Sequence, residues 1–330
     1  MVNTGIIGLG YWGPNLLRNI YSNTRSGRIV MCDSDPARAE KMRSRYPDLA
    51  CTADCGEIFD DAELDAVVVA TDVSSHYPLA RRALESGKHV FVEKPFAASV
   101  AQAEELVDLG RQNGLVTMVG HTFMFSPPVI KAKEIIDSGE LGDIYFITSS
   151  RVNLGLHQKD VSVIWDLAPH DFSMLFYWLG EEPTRVSAFG HAYVLEEIPD
   201  VAFINMAFPG GGIANVQVAW LAPSKLRRTV IVGSSKMLVY DDTEPIEKIK
   251  VYDKGVELIE PESFGEYQLT YRTGDILSPK LSSDEPLSSE MDEFLVSIEE
   301  GRTPRSSGAE GLAVVRALEM AEQSLRRSGS

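Results

Sequence analysis

Cysteine is scarce: Cys32, Cys51 and Cys55 are the only three in 330 residues. An odd, small number in a long chain excludes a disulfide scaffold, and the Cys-x-x-x-Cys spacing of the last two is not a usual zinc pair. We read them as reduced, mostly buried thiols, and no metal site is expected. Positive charge is also short, with 31 Lys and Arg against 48 Asp and Glu and a net charge of −17. That balance repels phosphate polyanions and anionic lipid, so nucleic acid and membrane surfaces are excluded as expected partners. Long apolar runs are missing as well. The uncharged stretch 112–130 contains Asn113, two glycines, His121 and Pro127-Pro128, unlike a bilayer span of about 20 apolar residues. No basic segment followed by an apolar run precedes the glycine turn at Gly8, so no signal peptide is expected and the expected compartment is the cytoplasm.

What is present is ordinary for a globular protein, with 44% hydrophobic and 24% charged residues. The length favours two domains, placed at 1–122 and 123–330. The first third alternates short β-rich runs, at 4–7, 28–32, 66–70, 89–92 and 116–120, with helical segments at 76–86 and 99–113. Gly87 and Gly114 follow those helices where a C-cap wants positive φ, and Ser99 with Gln102 spells a capping box. Parallel strands need crossovers that cover both sheet faces, so this alternation predicts a doubly wound, Rossmann-type α/β domain. Beyond residue 144 the pattern changes to longer runs at 144–152, 186–193, 201–208, 213–220, 229–232, 237–240 and 246–252. Short glycine-rich links at 209–212 and 233–236 predict antiparallel pairing, hence an α+β domain with a large, mostly antiparallel open sheet. Helices are expected at 127–138, at 169–179 and at 309–326, the last opened by a Ser307/Glu310 capping box and able to pack back on the first domain. The Pro, Ser and acid-rich stretch 279–289 reads as a solvated connector.

Three clusters carry chemistry. Gly8-Leu9-Gly10-Tyr11-Trp12-Gly13 follows a predicted strand and precedes a helix that Pro14 suits, which is the context of a dinucleotide fingerprint. The glycines serve the tight turn, the approach of a pyrophosphate and close helix packing. Asp33 follows about 20 residues later at a strand end, where a carboxylate accepts from an adenosine ribose and repels a 2′-phosphate, so NAD is favoured over NADP. Arg38 is the counter-signal, since it can reach such a phosphate. In the second cluster, 87–95, a strand delivers Lys94 at the C-terminal sheet edge, where ligands bind in open α/β sheets. The third is Trp165-Asp166-Leu167-Ala168-Pro169-His170-Asp171. Pro169 as first helical residue places His170 in the first turn, where the helix dipole favours a neutral, proton-accepting imidazole.

These clusters together resemble the glucose-fructose oxidoreductase, inositol dehydrogenase and MocA (Gfo/Idh/MocA) family. The resemblance runs through GLGYWG, ATDVSSHYPLARRALESGKHVFVEKP, VIKAKEIIDSGELGDIYFI and GRTPRSSGAEGLAVVRALEMA, almost the whole chain. It implies NAD(P)-dependent interconversion of a sugar or cyclitol hydroxyl and a ketone. It places Lys94 at the family's EKP lysine and Asp166 with His170 at its Asp-x-x-x-His pair. WDLAPHD, GYWGPN and 150–155 look closest to members acting on nucleotide-linked sugars at the 3-position. Cofactor contacts are expected from Gly8, Gly10, Tyr11, Trp12, Gly13, Asp33, Ser34, Thr71, His76, Glu93 and Lys94. Substrate contacts are expected from Lys94, His121, Arg151, Asn153, His157, Trp165 and His170, although the run 120–125 departs from the family's usual residues.

Oxidation of a secondary alcohol needs a base for the hydroxyl proton while hydride leaves the same carbon. His170 is the expected acid/base, Lys94 the cation that stabilises charge on oxygen, and Asp166 the group that orients His170. Buried beside each other, Lys94 and His170 can each titrate near neutrality, and the carrier of the proton is left open between them. Alternatives are a keto-sugar reductase of secondary metabolism, a cyclitol dehydrogenase, an NAD-dependent glycoside hydrolase and a non-enzymatic NAD sensor. The sensor needs neither lysine nor histidine at the sheet edge. A homodimer or homotetramer is expected, because an antiparallel sheet covered by helices on one face leaves the other available.

Overall fold

The computed structural model describes residues 1–155, 157, 161–259 and 268–328. They form two compact units, Met1–Ser126 with Asp284–Glu319, and Pro127–Ser283 with Met320–Ser330. The sequence reading assigns 284–319 to the second domain, whereas these residues contact the first.

The first unit runs β1 (Val2–Ile7), α1 (Gly13–Tyr21), β2 (Ser26–Cys32), α2 (Pro36–Arg45), β3 (Ala50–Thr52), α3 (Cys55–Asp60), β4 (Ala66–Val69), α4 (Val73–Glu85), β5 (His89–Glu93), α5 (Val100–Asn113) and β6 (Thr117–Gly120). A short 3-10 helix, Thr122–Phe125, follows. The sheet order is β3-β2-β1-β4-β5-β6, all parallel, as the strand and helix alternation predicts. Ile6, Val67, Val68, Val90 and Phe91 are fully buried, as expected of strands covered on both faces. Strand register levels the edge that carries the chemistry: Ile7 pairs with Cys32 and Val69, Val69 with Val92, and Glu93 with Gly120. Gly8, Asp33, Lys94 and His121 therefore leave one sheet edge. Gly87 and Gly114 take the expected positive φ of 74° and 65°. The Ser99 hydroxyl accepts from the Gln102 N–H at 3.3 Å, but the Gln102 side chain accepts from Ala98 rather than from Ser99, so the box is half formed.

The second unit contains α6 (Pro127–Asp137), β7 (Ile144–Leu154), α7 (Val163–Leu179), β8 (Arg185–His191), β9 (Val201–Ala207), β10 (Ile213–Ala219), β11 (Leu221–Gly233), β12 (Met237–Asp241), β13 (Ile249–Ile259) and β14 (Gln268–Leu277). The sheet order is β14-β13-β12-β11-β7-β10-β9-β8, antiparallel except between β7 and β10. Both glycine-rich links join antiparallel neighbours, as expected. Burial alternates along β9 and along β10 as far as Val218, with Ala202, Ile204, Met206, Ala214, Val216 and Val218 inward. Helices α6 and α7 pack on this unit's sheet.

Helix α8 (Pro286–Glu300) and helix α9 (Gly308–Ser328) close the chain, and α9 contributes to both units. Ser307 opens α9, but its hydroxyl accepts from the Ala309 N–H at 3.1 Å and donates to the Glu310 carboxylate, a side-chain variant of the expected capping box. Three expectations are corrected. The connector 279–289 already contains the start of α8 at Pro286, which suits a first-turn position because it has no N–H to lose. Helix α7 starts at Val163, so Pro169 is interior and His170 lies about two turns in. The buried face of α7, from Ile164 through Phe172 to Trp178, outweighs the one backbone bond that proline forfeits. The strands read at 229–232 and 246–252 become the end of β11 and the start of β13, while β3, β14, α2 and α3 lie outside the expected elements. Cys32 is buried, but Cys51 and Cys55 are half-exposed, and all three are free thiols.

Candidate active site

In the first unit, the glycine turn has the shape a dinucleotide needs. Gly8 sits at φ 98°, and a Cβ there would lie 2.6 Å from the Ala70 carbonyl oxygen. A Cβ on Gly13 would lie 2.0 Å from the Gly8 carbonyl oxygen, so this position must be glycine for α1 to start against the turn. Gly10 is different. Only the flexible tip of Arg38 comes within 4 Å of its missing Cβ, at 3.4 Å, which leaves the backbone open to an approaching ligand. Asp33 is buried, and its carboxylate accepts from the Leu9 N–H at 2.7 Å and the Asp35 N–H at 2.8 Å. The acid thereby ties β2 to the glycine turn, and its oxygens retain acceptor capacity for a ribose. Ser34 and Tyr11 are exposed beside it, and Tyr11 stacks near Trp12 with ring centroids 6.3 Å apart. The residues present fit a bound dinucleotide.

At the other end of the same edge, Lys94 follows β5 directly and is half-buried. The His76 ring is buried between two backbone carbonyls, with Nδ1 2.8 Å from Pro95 and Nε2 3.0 Å from Thr71. Burial holds its pKa below the ordinary value despite those carbonyls. His76 thus clamps the turn after β4 to the segment after Lys94. His121 is buried after β6, and burial, with the Lys94 charge adding, pushes it down to about 3, so the ring is neutral. Glu93 is buried and pushed up to about 7 by desolvation, against the pull of the Lys94 charge and of the hydrogen bond from the Lys94 N–H.

In the second unit, Asp166 and His170 are one helical turn apart on α7 and share a face. The Trp220 indole N–H donates to Asp166 Oδ2 at 3.0 Å. The His157 ring lies 5.3 Å from the Trp220 ring, and its Nε2 is 3.9 Å from the carboxylate of Asp200, which is wholly buried and accepts from the Tyr193 and Val194 N–H groups. Gly155 leaves the room this needs, since a Cβ there would sit 2.8 Å from the Trp220 ring. Asp166, His170, His157 and Trp220 therefore form one cluster, with Trp165 on the first turns of the same helix and Asn153 near the end of β7. Because His170 is beyond the first turn, the helix N-terminus does not set its protonation, which corrects the dipole argument. Arg151 is also placed differently from expectation. It is buried, and its Nε donates to Asp171 at 2.6 Å, with Ser149 donating to the same carboxylate at 2.7 Å. Its charge is neutralised inside the unit, which leaves it poorly suited to a substrate phosphate. Motif reading misses Trp220 and Asp200 here, and in the first unit it misses Glu290 on α8, which accepts from the Thr122 hydroxyl. The tryptophan's position at a strand end was the only available signal.

A parallel Rossmann sheet with a glycine cradle, an acid at the second strand end and a lysine at the fifth defines a dinucleotide-binding oxidoreductase unit. Comparison with known proteins agrees. Residues 2–121 match the model for the oxidoreductase family with an NAD-binding Rossmann fold, and residues 129–239 match the C-terminal domain of the same Gfo/Idh/MocA family. The chain belongs to the Gfo/Idh/MocA oxidoreductase family, and its cofactor is NAD. It is 28% identical over 236 residues to scyllo-inositol 2-dehydrogenase (NAD(+)) of Bacillus subtilis, covering 67% of this chain and 68% of that one. It is 26% identical over 241 residues to UDP-N-acetylglucosamine 3-dehydrogenase of Acidithiobacillus ferrooxidans, covering 73% and 74%. The solved structure of that Acidithiobacillus enzyme superposes with a TM-score of 0.81, at 23% identity over 98% of this chain and 97% of the other, a likeness of fold. Among the described residues, no helix is long and apolar enough to cross a membrane.

Proposed function

We propose that the chain interconverts a secondary hydroxyl and a ketone on a nucleotide-linked sugar, at its 3-position. The observation that carries the chemistry is the Trp220–Asp166 bond with His170 one turn along the same helix face, a carboxylate held in place to orient an imidazole. The similarity to the UDP-N-acetylglucosamine 3-dehydrogenase supports the substrate class. In this reading Gly8, Gly10, Gly13 and Asp33 hold NAD, with Tyr11, Trp12, Ser34 and Thr71 around it, and bound NAD supplies the hydride acceptor. His170 takes the hydroxyl proton, Asp166 stabilises the imidazolium that forms, and the Lys94 ammonium hydrogen-bonds the oxygen as its negative charge develops. His121, Asn153, His157 and Trp165 contact the sugar.

A second reading, a cyclitol dehydrogenase, is favoured by the similarity to the scyllo-inositol enzyme. Initial rates of NADH formation with UDP-N-acetylglucosamine and with scyllo-inositol separate the two. The nucleotide sugar should give the higher kcat/KM and a 3-keto product, and turnover of the inositol alone would replace the first reading by the second.

A further inference from the structure

Helix α8 brings Glu290 to the sheet edge at which Glu93 ends β5. Both carboxyls are buried, Glu290 completely. Glu290 Oε2 accepts from the Thr122 hydroxyl at 2.8 Å, and Glu93 Oε2 accepts from the Lys94 N–H at 3.2 Å. Gly120, paired with Glu93 across the strands, gives that carboxyl its room, since a Cβ there would lie 3.0 Å from Glu93 Oε2. The remaining oxygens, Glu93 Oε1 and Glu290 Oε1, are buried and find no donor among the described residues. Two buried acceptors without donors, on two carboxyls close enough to feel each other's charge, lack one thing that a single proton supplies.

We propose that Glu290 keeps its proton at neutral pH and shares it with Glu93, so that the pair carries one negative charge beside Lys94 and Glu290 acts as a positioning residue for Glu93. Two carboxylates buried together in a low dielectric do not both ionise, and an O–H donor to a carboxylate is a strong, charge-assisted bond. The surroundings agree. Lys94 is the cation that acts on Glu93, and the neutral His121 ring adds no charge. Burial, and then the charge of Glu93, hold Glu290 well above the ordinary carboxylate range, with the Thr122 bond as the opposing pull.

The pair stands on the first unit alone, whereas its effect on turnover rests on the proposed role of Lys94. Infrared titration of the full-length protein tests the pair. A neutral carboxylic acid carbonyl band should persist at about pH 9, above the titration of Glu93 at about 7, vanish at that pH in Glu290→Gln, and in Glu93→Gln remain but titrate at lower pH, because the neighbouring charge is gone. Turnover tests the positioning. The amide of Glu290→Gln can accept from Thr122 and donate to Glu93 as the neutral acid does, so it should retain turnover within about threefold, whereas Glu290→Leu should lose about tenfold. A wild-type protein without the band, or a band unaltered in Glu290→Gln, overturns the shared proton, as does a Glu93→Gln band that titrates where the wild-type band does. Equal losses in Gln and Leu variants overturn the positioning role. If the infrared pattern holds while Lys94→Ala leaves turnover intact, the pair survives and the assignment of Lys94 falls.

Discussion

Asp33 makes one carboxylate serve two ends. Its bonds to the Leu9 and Asp35 N–H groups fix the glycine turn, and its charge faces the place where a ribose hydroxyl or a 2′-phosphate would arrive. The protein should bind NAD(H) more tightly than NADP(H), and Asp33→Ala should narrow that preference by about tenfold, the worth of one charge-assisted hydrogen bond. Calorimetric titration checks both, and tighter NADPH binding by the unaltered protein would show that Arg38, poised over Gly10, prevails. At this scale the local motif was legible. Gly8, Gly13 and Asp33 do what their spacing implies, because a turn of a few residues is decided by its own sterics. Glu290 and Trp220 were not legible, since the partner of a buried polar group is chosen by tertiary packing and leaves no trace in its neighbours.

Helix α7 shows how an element resists local reading. Proline before a histidine looks like a helix start, but the apolar face beginning at Val163 carries the helix through it. The β-rich runs of the first unit were legible because parallel strands buried on both faces are nearly continuous in Val, Ile and Phe. α8 was obscured by the Pro and Ser residues before it, although Leu287, Met291, Phe294 and Leu295 supply a helical apolar stripe. The consequence for chemistry lies in the contact of α7 with the end of β10. Trp220→Phe keeps most of the packing and removes the donor to Asp166. The variant should lose about tenfold in kcat with KM little changed, as expected when a group that positions the base is loosened. A variant lower in Tm but unchanged in kcat would make Trp220 a packing residue only.

On the whole-molecule scale, the outward face of the β7–β10 region carries Phe146, Phe189, Phe203 and Ile213 at 39%, 67%, 41% and 58% exposure, and Phe146 and Ile213 line a groove with Asn205 and Asn215. Apolar and amide groups arranged this way suit a second copy of the chain, and we propose a homodimer or homotetramer built on this face. Light scattering at micromolar concentration should return a multiple of 36.3 kDa, and Phe203→Glu should lower it. A mass near 36.3 kDa for the unaltered protein would contradict the proposal.

The roles proposed for Lys94 and His170 are tested most directly by NADH formation in Lys94→Ala, His170→Ala and the double variant with the nucleotide sugar as substrate. Each single change should lower turnover by roughly 10² to 10⁴-fold while NAD binding stays nearly intact, and the double variant should lose far less than the product of the two, as groups acting as a unit do. Near-normal turnover in either single variant would contradict the role assigned to that residue.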